Sequence, residues 1–224
     1  MNAKHLQKNL APLLLSLGLT LSGQSQAGIL TIDNFSHSQT VFDDGGSAGS
    51  SSDTVSALTG TDLSNATRTF IAEASGTRLA NTTEIVSGGN QLIISNDGRS
   101  AGGASILWNF DPLDLTAHGN AILLEVLTID LGVNVEMVAN GSSSSGTQTF
   151  TSNNNYLISF SNFTDPAVFA NLHSFRLNFT GPEKWDGQFR LLTTTTPVPV
   201  PAAFGLMGSA LLGFIAVSRR KSLS

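Results

Sequence analysis

The stretch Ser174-Phe175-Arg176-Leu177-Asn178-Phe179-Thr180 alternates apolar and polar side chains with a period of two. In an extended chain successive side chains point to opposite faces, so Phe175, Leu177 and Phe179 share one face while Arg176 and Asn178 face the other way. This is the pattern of a strand with one buried face. Similar runs, alternating or rich in β-branched and aromatic residues and bounded by Gly, Asn, Asp and Ser clusters, recur along the chain. They predict strands over residues 29–35, 39–42, 67–74, 83–87, 91–95, 104–110, 121–130, 133–139, 147–151, 156–163, 174–180 and 188–193. Twelve short strands with turns between them and no long amphipathic helix predict an all-β fold, a β-sandwich or jelly roll.

The same alternation nominates core residues. Ile158 and Phe160 fall on one side of their strand, with Leu157, Ser159 and Ser161 on the other; Val133, Val135 and Met137 share a face. Trp108 sits in a strongly apolar strand and reads as core. Asp130-Leu131-Gly132 is expected to close a hairpin. One or two helical turns are expected at residues 165–172, with Asp165 as N-cap and Pro166 at the first helical position. Residues 43–66, rich in Gly and Ser, are expected to form a long irregular loop, and 140–146 a flexible hairpin tip.

Both ends of the chain carry targeting features. Lys4 and Lys8 precede an apolar run over residues 10–21, and Ser25-Gln26-Ala27 offers a small-x-small cleavage site, so residues 1–27 read as a secretory signal peptide cut after Ala27. At the other end, residues 193–201 form a Thr/Pro linker, and residues 202–217 carry no charge before Arg219-Arg220-Lys221. A helix of about 24 Å is available there, enough for a short membrane crossing over residues 202–218. The basic residues 219–224 are then expected on the cytoplasmic side, with the ectodomain outside. Gly205, Ser209 and Gly213 have the small-xxx-small spacing of helix-association faces.

The order of Val198-Pro199-Val200-Pro201-Ala202-Ala203, a short apolar helix and Arg219-Arg220-Lys221 resembles the PEP-CTERM sorting signal, in its Val-Pro-x-Pro-Ala-Ala form; Val200 stands where the family's name has Glu. The resemblance implies an exosortase-type processing enzyme as partner, cutting near the proline motif. It also implies transient anchoring in the inner membrane, followed by release to the outer surface or an exopolysaccharide matrix. A permanent single-pass anchor is the alternative. Ile32-Asp33-Asn34-Phe35, Trp108 leading to Leu113-Asp114-Leu115-Thr116, and Leu172 to Phe179 resemble the jelly rolls of such ectodomains and of galactose-binding-like sandwiches. That likeness concerns fold and leaves function open.

The remaining ectodomain, residues 28–192, fits one domain. It carries all sixteen Asp and Glu against six Lys and Arg, a net charge of −10. An acidic surface without basic clusters argues against nucleic acid as a partner. The absence of Cys excludes thiol catalysis, thiolate metal sites and disulfides.

Candidate chemistry is sparse. Gly45-Gly46-Ser47-Ala48-Gly49 matches G-x-S-x-G by letter, but no helix-forming run follows to present the serine. His37, His118 and His173 are isolated, and Glu73, Glu125 and Glu136 lie on separate strands. No cofactor is expected other than a structural calcium held by acidic turns, for which Asp43 and Asp44 lead a set that includes Asp33, Asp97, Asp111 and Asp186. For sugar binding the amphipathic rings are Trp185, in the turn between the last two strands, and Tyr156. The leading expectation is a non-enzymatic surface or matrix protein; a carbohydrate-binding module is the alternative, and a polysaccharide hydrolase a third. Intact-mass measurement on protein from its host, in membrane and medium fractions, checks the sorting expectation: the released form is expected to begin at Gly28 and end between Pro199 and Ala203.

Overall fold

The computed structural model describes residues 28–46, 49–75 and 80–196. The expected processing and sorting residues Ala27, Pro199, Val200, Pro201, Ala202, Ala203, Arg219, Arg220 and Lys221 lie outside them. Among the described residues no helix is long and apolar enough to cross a membrane. The strands are β1 (Thr31–Asp33), β2 (Gln39–Asp43), β3 (Ser51–Val55), β4 (Thr67–Glu73), β5 (Thr82–Gly88), β6 (Gln91–Asp97) and β7 (Gly103–Leu113). They continue with β8 (Ala121–Ile129), β9 (Val133–Ala139), β10 (Ser143–Phe150), β11 (Asn155–Ser159), β12 (Leu172–Thr180) and β13 (Gly187–Thr195).

All pairings are antiparallel and build two sheets. The six-stranded sheet runs β10-β9-β12-β7-β4-β3. The seven-stranded sheet runs β11-β8-β13-β6-β5-β2, with β1 paired to β13. Aromatic contacts across the interior join facing strands of the two sheets. Phe150 of β10 stacks on Tyr156 of β11 with ring centroids 3.7 Å apart, and Phe179 of β12 meets Phe189 of β13 at 4.9 Å. The protein is therefore a β-sandwich. Phe175, Leu177, Phe179, Val133 and Met137 are fully buried, as the alternation predicted, and so is Trp108, as its apolar strand predicted.

Several local expectations are corrected. β8 and β9 belong to different sheets, so Asp130-Leu131-Gly132 is a connection over the end of the sandwich and closes no hairpin. Turn chemistry reverses the chain without specifying which sheet receives the next strand. Within the expected loop at 43–66, β3 pairs with β4 at the sheet edge. Ser52, Asp53 and Thr54 of β3 are exposed, so backbone hydrogen bonds place this strand and no apolar periodicity announces it. The expected hairpin tip at 140–146 includes the start of β10, where Ser143 is buried and exchanges hydrogen bonds with the backbone of Asp165 at 2.8 and 2.9 Å. The predicted strand at 156–163 ends at Ser159, and a 3-10 turn follows.

The linker expected from Thr193 also changes character. β13 continues through Thr195, with Thr193 and Thr194 buried. Thr193 Oγ1 donates to Leu30 O at 2.7 Å, and Thr194 Oγ1 accepts from Leu30 N at 2.9 Å. The domain boundary thus lies after these threonines. Asp165 caps a helix as expected, its Oδ1 accepting from Ala167 N at 3.0 Å, but the helix, Pro166–Asn171, is of the 3-10 type.

A polar cluster bolts the sheets together. Asp33 of β1 and Arg68 of β4, both fully buried, form an ion pair at 2.8 Å. Trp108 Nε1 donates to the same Asp33 oxygen at 2.9 Å, and Phe35 N donates to the other at 2.7 Å. Arg68 also donates to Gln39 Oε1, Ser87 Oγ and His37 O at 2.6 to 2.9 Å. Its guanidinium lies 4.6 Å from the Phe70 ring centroid. Burial pulls the Arg68 pKa below its ordinary value, and Asp33 opposes that fall. Removing one partner leaves a buried charge uncompensated, so Asp33→Ala is expected to cost about 3–5 kcal/mol of stability. An apolar pair, Asp33→Leu with Arg68→Met, is expected to lose much less. Urea unfolding of the two variants and the parent measures both.

Candidate functional site

Strand alternation turns every second residue of the six-stranded sheet outward, away from the core. On β12 these are Ser174, Arg176 and Asn178; on β9, Glu136 and Val138; on β7, Ser105 and Leu107; on β4, Ile71 and Glu73. Antiparallel register sets them in lateral rows. Asn178 stands opposite both Ser105 and Glu136, and Arg176 stands opposite both Leu107 and Val138.

The rows floor a groove with two adjoining lobes. The larger, about 430 Å³, is lined by Ile71, Glu73, Ser105, Glu136, Arg176 and Asn178, together with strand backbone around Gly103 and Thr180. The smaller, about 240 Å³, is lined by Leu107, Val138, Gly141, Ser174, Arg176 and Asn178. Arg176 and Asn178 belong to both lobes.

One row is a continuous hydrogen-bonded chain across four strands. Ser105 Oγ donates to Asn178 Oδ1 at 2.6 Å, and Asn178 Nδ2 donates to Glu136 Oε2 at 3.1 Å. Ser144 Oγ of β10 donates to Glu136 Oε1 at 2.6 Å. These bonds hold four half-buried polar groups in fixed orientations and leave the Ser105 hydroxyl lone pairs, the second amide hydrogen and carboxylate lone pairs for a ligand. A pre-oriented row of this kind can donate to and accept from hydroxyl groups along a polar chain.

The residues nominated from sequence lie elsewhere. Trp185 is fully buried, and its Nε1 donates to Gly102 O at 3.0 Å. The turn that carries it joins β12 to β13, strands of different sheets, and so passes over the open end of the sandwich and drops the ring into the gap. The ring packs so closely on Gly181 that an added Cβ there would lie 2.5 Å from it. Tyr156 is half-buried with one face stacked on Phe150, and its hydroxyl donates to Ser152 O and accepts from Thr151 N and Ser152 N. Burial pushes that hydroxyl's pKa up, but the hydrogen bonds together bring it below the ordinary phenol value. Both rings close the sandwich, and neither lines the groove.

Among the described residues no group of three or more His, Asp or Glu converges on a point where a metal could sit. Asp43 is buried and accepts from Ala74 N at 2.6 Å and Ser51 Oγ at 3.3 Å, tying β2 to β3 and β4. Asp44 Oδ1 accepts from Gly46 N within its own turn. Asp186 Oδ1 accepts from Asn96 N, while Asp130 Oδ1 accepts from Asp186 N, which pins the corner beside Trp185. Glu125 pairs with Arg190 on the seven-stranded sheet, so of the three nominated glutamates only Glu73 and Glu136 share the groove.

No family model and no curated protein matches the chain. Among solved structures, the family 11 carbohydrate-binding module from Clostridium thermocellum, in complex with a β-1,3-1,4-mixed-linked tetrasaccharide, aligns at TM-score 0.39 and 10% identity. That alignment covers 77% of this chain and 98% of the module. The family 11 module of a cellulosomal cellulase of the same organism aligns at TM-score 0.35 and 12% identity, over 72% of this chain and 96% of the module. At that distance nothing about a ligand carries over.

Trp185 provides a direct check on its place in the fold. Trp185→Ala is expected to lower stability by about 3–5 kcal/mol by opening a cavity between the sheets. A chemical-denaturation midpoint unchanged from the parent would mean the ring is not packed as described.

Proposed function

We propose that the protein is a non-enzymatic, jelly-roll-type glycan-binding module whose binding surface is the two-lobed groove on the outer face of the six-stranded sheet. The observation that carries this is the row Ser105–Asn178–Glu136, a chain of oriented donors and acceptors on a groove floor, braced from β10 by Ser144. Sugar hydroxyls both donate and accept, and such a row meets both needs without rearranging. Ile71, Leu107 and Val138 offer aliphatic surface to the C–H faces of the rings.

The carboxylates support binding over hydrolysis. Glu73 and Glu136 stand on strands three positions apart in the sheet. At about 4.8 Å per strand, and two residues out of register along the strands, their backbones are about 16 Å apart, a wide base for carboxyl groups that in glycosidases act across about 5 to 9.5 Å. Glu136 is in addition held by Asn178 and Ser144. The expected signal peptide and PEP-CTERM-like tail fit the same role: an exosortase-type enzyme would release the module from a transient inner-membrane anchor, and the groove would hold it on exopolysaccharide at the cell surface or in the matrix.

Asn178→Ala is expected to weaken oligosaccharide binding about tenfold or more, a loss of about 1.4 kcal/mol. Phe42→Ser, an exposed position on the opposite sheet, is expected to leave it unchanged. Isothermal titration against a panel of neutral and acidic oligosaccharides makes the comparison; equal losses in both variants, or binding insensitive to Asn178, would move the site off this groove.

A further inference from the structure

We infer that the glycan carries a uronate, and that its carboxylate docks on Arg176 in the smaller lobe. This rests on the binding role proposed above and names the class of sugar.

All sixteen Asp and Glu fall within the described residues, and among those residues two ion pairs form, Asp33 with Arg68 and Glu125 with Arg190. Arg176 is in neither. It is half-buried, set between Leu107 and Val138 in register. A guanidinium presents five N–H donors and no acceptor, and its planar fork matches a carboxylate through two parallel hydrogen bonds. Partial burial between aliphatic neighbours removes water from it and strengthens its pull on an anion.

The two lobes differ in charge. Among the described residues Arg176 is the sole charged one lining the smaller lobe, with Ser174 as a further hydroxyl, whereas Glu73 and Glu136 also line the larger lobe. Two carboxylates there disfavour a second anionic sugar. The groove therefore suits an acidic sugar in the smaller lobe followed by a neutral one in the larger, the order found in a polymer that alternates the two or bears scattered uronates.

The test uses the full-length protein in sugar-free octaethylene glycol monododecyl ether micelles, titrated with hyaluronan octasaccharide, oligogalacturonate and oligoalginate. Each is compared with its carboxyl-reduced, neutral counterpart, and cellohexaose serves as an unrelated neutral chain. At least one uronate oligomer is expected to bind ten times or more tightly than its reduced form. Arg176→Gln is expected to abolish that preference, so that acid and reduced forms bind alike, with the melting temperature unchanged, and Arg176→Lys to keep part of it. Equal binding of acid and reduced forms, or a preference that survives Arg176→Gln, overturns the inference. Binding of neutral chains alone, lost in Asn178→Ala, also overturns it while leaving the binding role intact. If no oligosaccharide binds, the binding role falls and the inference with it.

Discussion

The sandwich depends on one buried ion pair. Asp33 and Arg68 come from different sheets and meet in the interior, where an unpaired charge would be strongly destabilising. The cost of desolvating them is offset by full satisfaction of their hydrogen-bonding groups. Asp33 receives Arg68, Trp108 and the Phe35 backbone; Arg68 reaches Gln39, Ser87 and the His37 carbonyl. Among the described residues no buried side-chain polar atom lacks a partner. Because each bond has a required direction, the cluster fixes how β1, β2 and β5 of one sheet lie over β4 and β7 of the other.

That constraint reaches the edges of both sheets. Gln39, which accepts from Arg68, donates in turn to the backbone and side chain of Asp53 on β3, the polar edge strand. At the far end of β1, Leu30 is clamped by Thr193 and Thr194 on β13, so the start of the domain is stitched to its last strand. Aromatic residues finish the closure: Trp185 fills the gap at one end, and Phe150 with Tyr156 covers the edge between β10 and β11. With most rings used inside, the outward face of the six-stranded sheet is left to polar and aliphatic side chains.

The groove follows from this division. Residues that alternate with the core on β4, β7, β12 and β9 fall into rows by antiparallel register, and the rows bring together groups far apart in sequence. Ser105 and Asn178 are separated by 73 positions yet lie within 2.6 Å. The chemistry that results is recognition: oriented hydrogen-bonding groups, aliphatic contact surface and one guanidinium without a counter-ion.

The sequence by itself determined the fold class and most of the strands, because burial of one face imposes a period of two that survives in the residues. Phe175, Leu177, Phe179, Ile158 and Val135 were all legible as core for that reason. It missed β3, whose Ser, Asp and Thr side chains carry no such period, and the final turn of β13, where buried threonines look like a spacer. It also exposed Trp185, since a turn between successive strands looks the same whether it closes a hairpin or crosses from sheet to sheet. The site was half legible: Arg176 and Asn178 could be placed on an outward face, but nothing local names their neighbours. Only the tertiary structure decided that β12 lies between β7 and β9, because strand order is set by long-range hydrogen bonding and cross-sheet packing, and neither leaves a mark on any single stretch of chain.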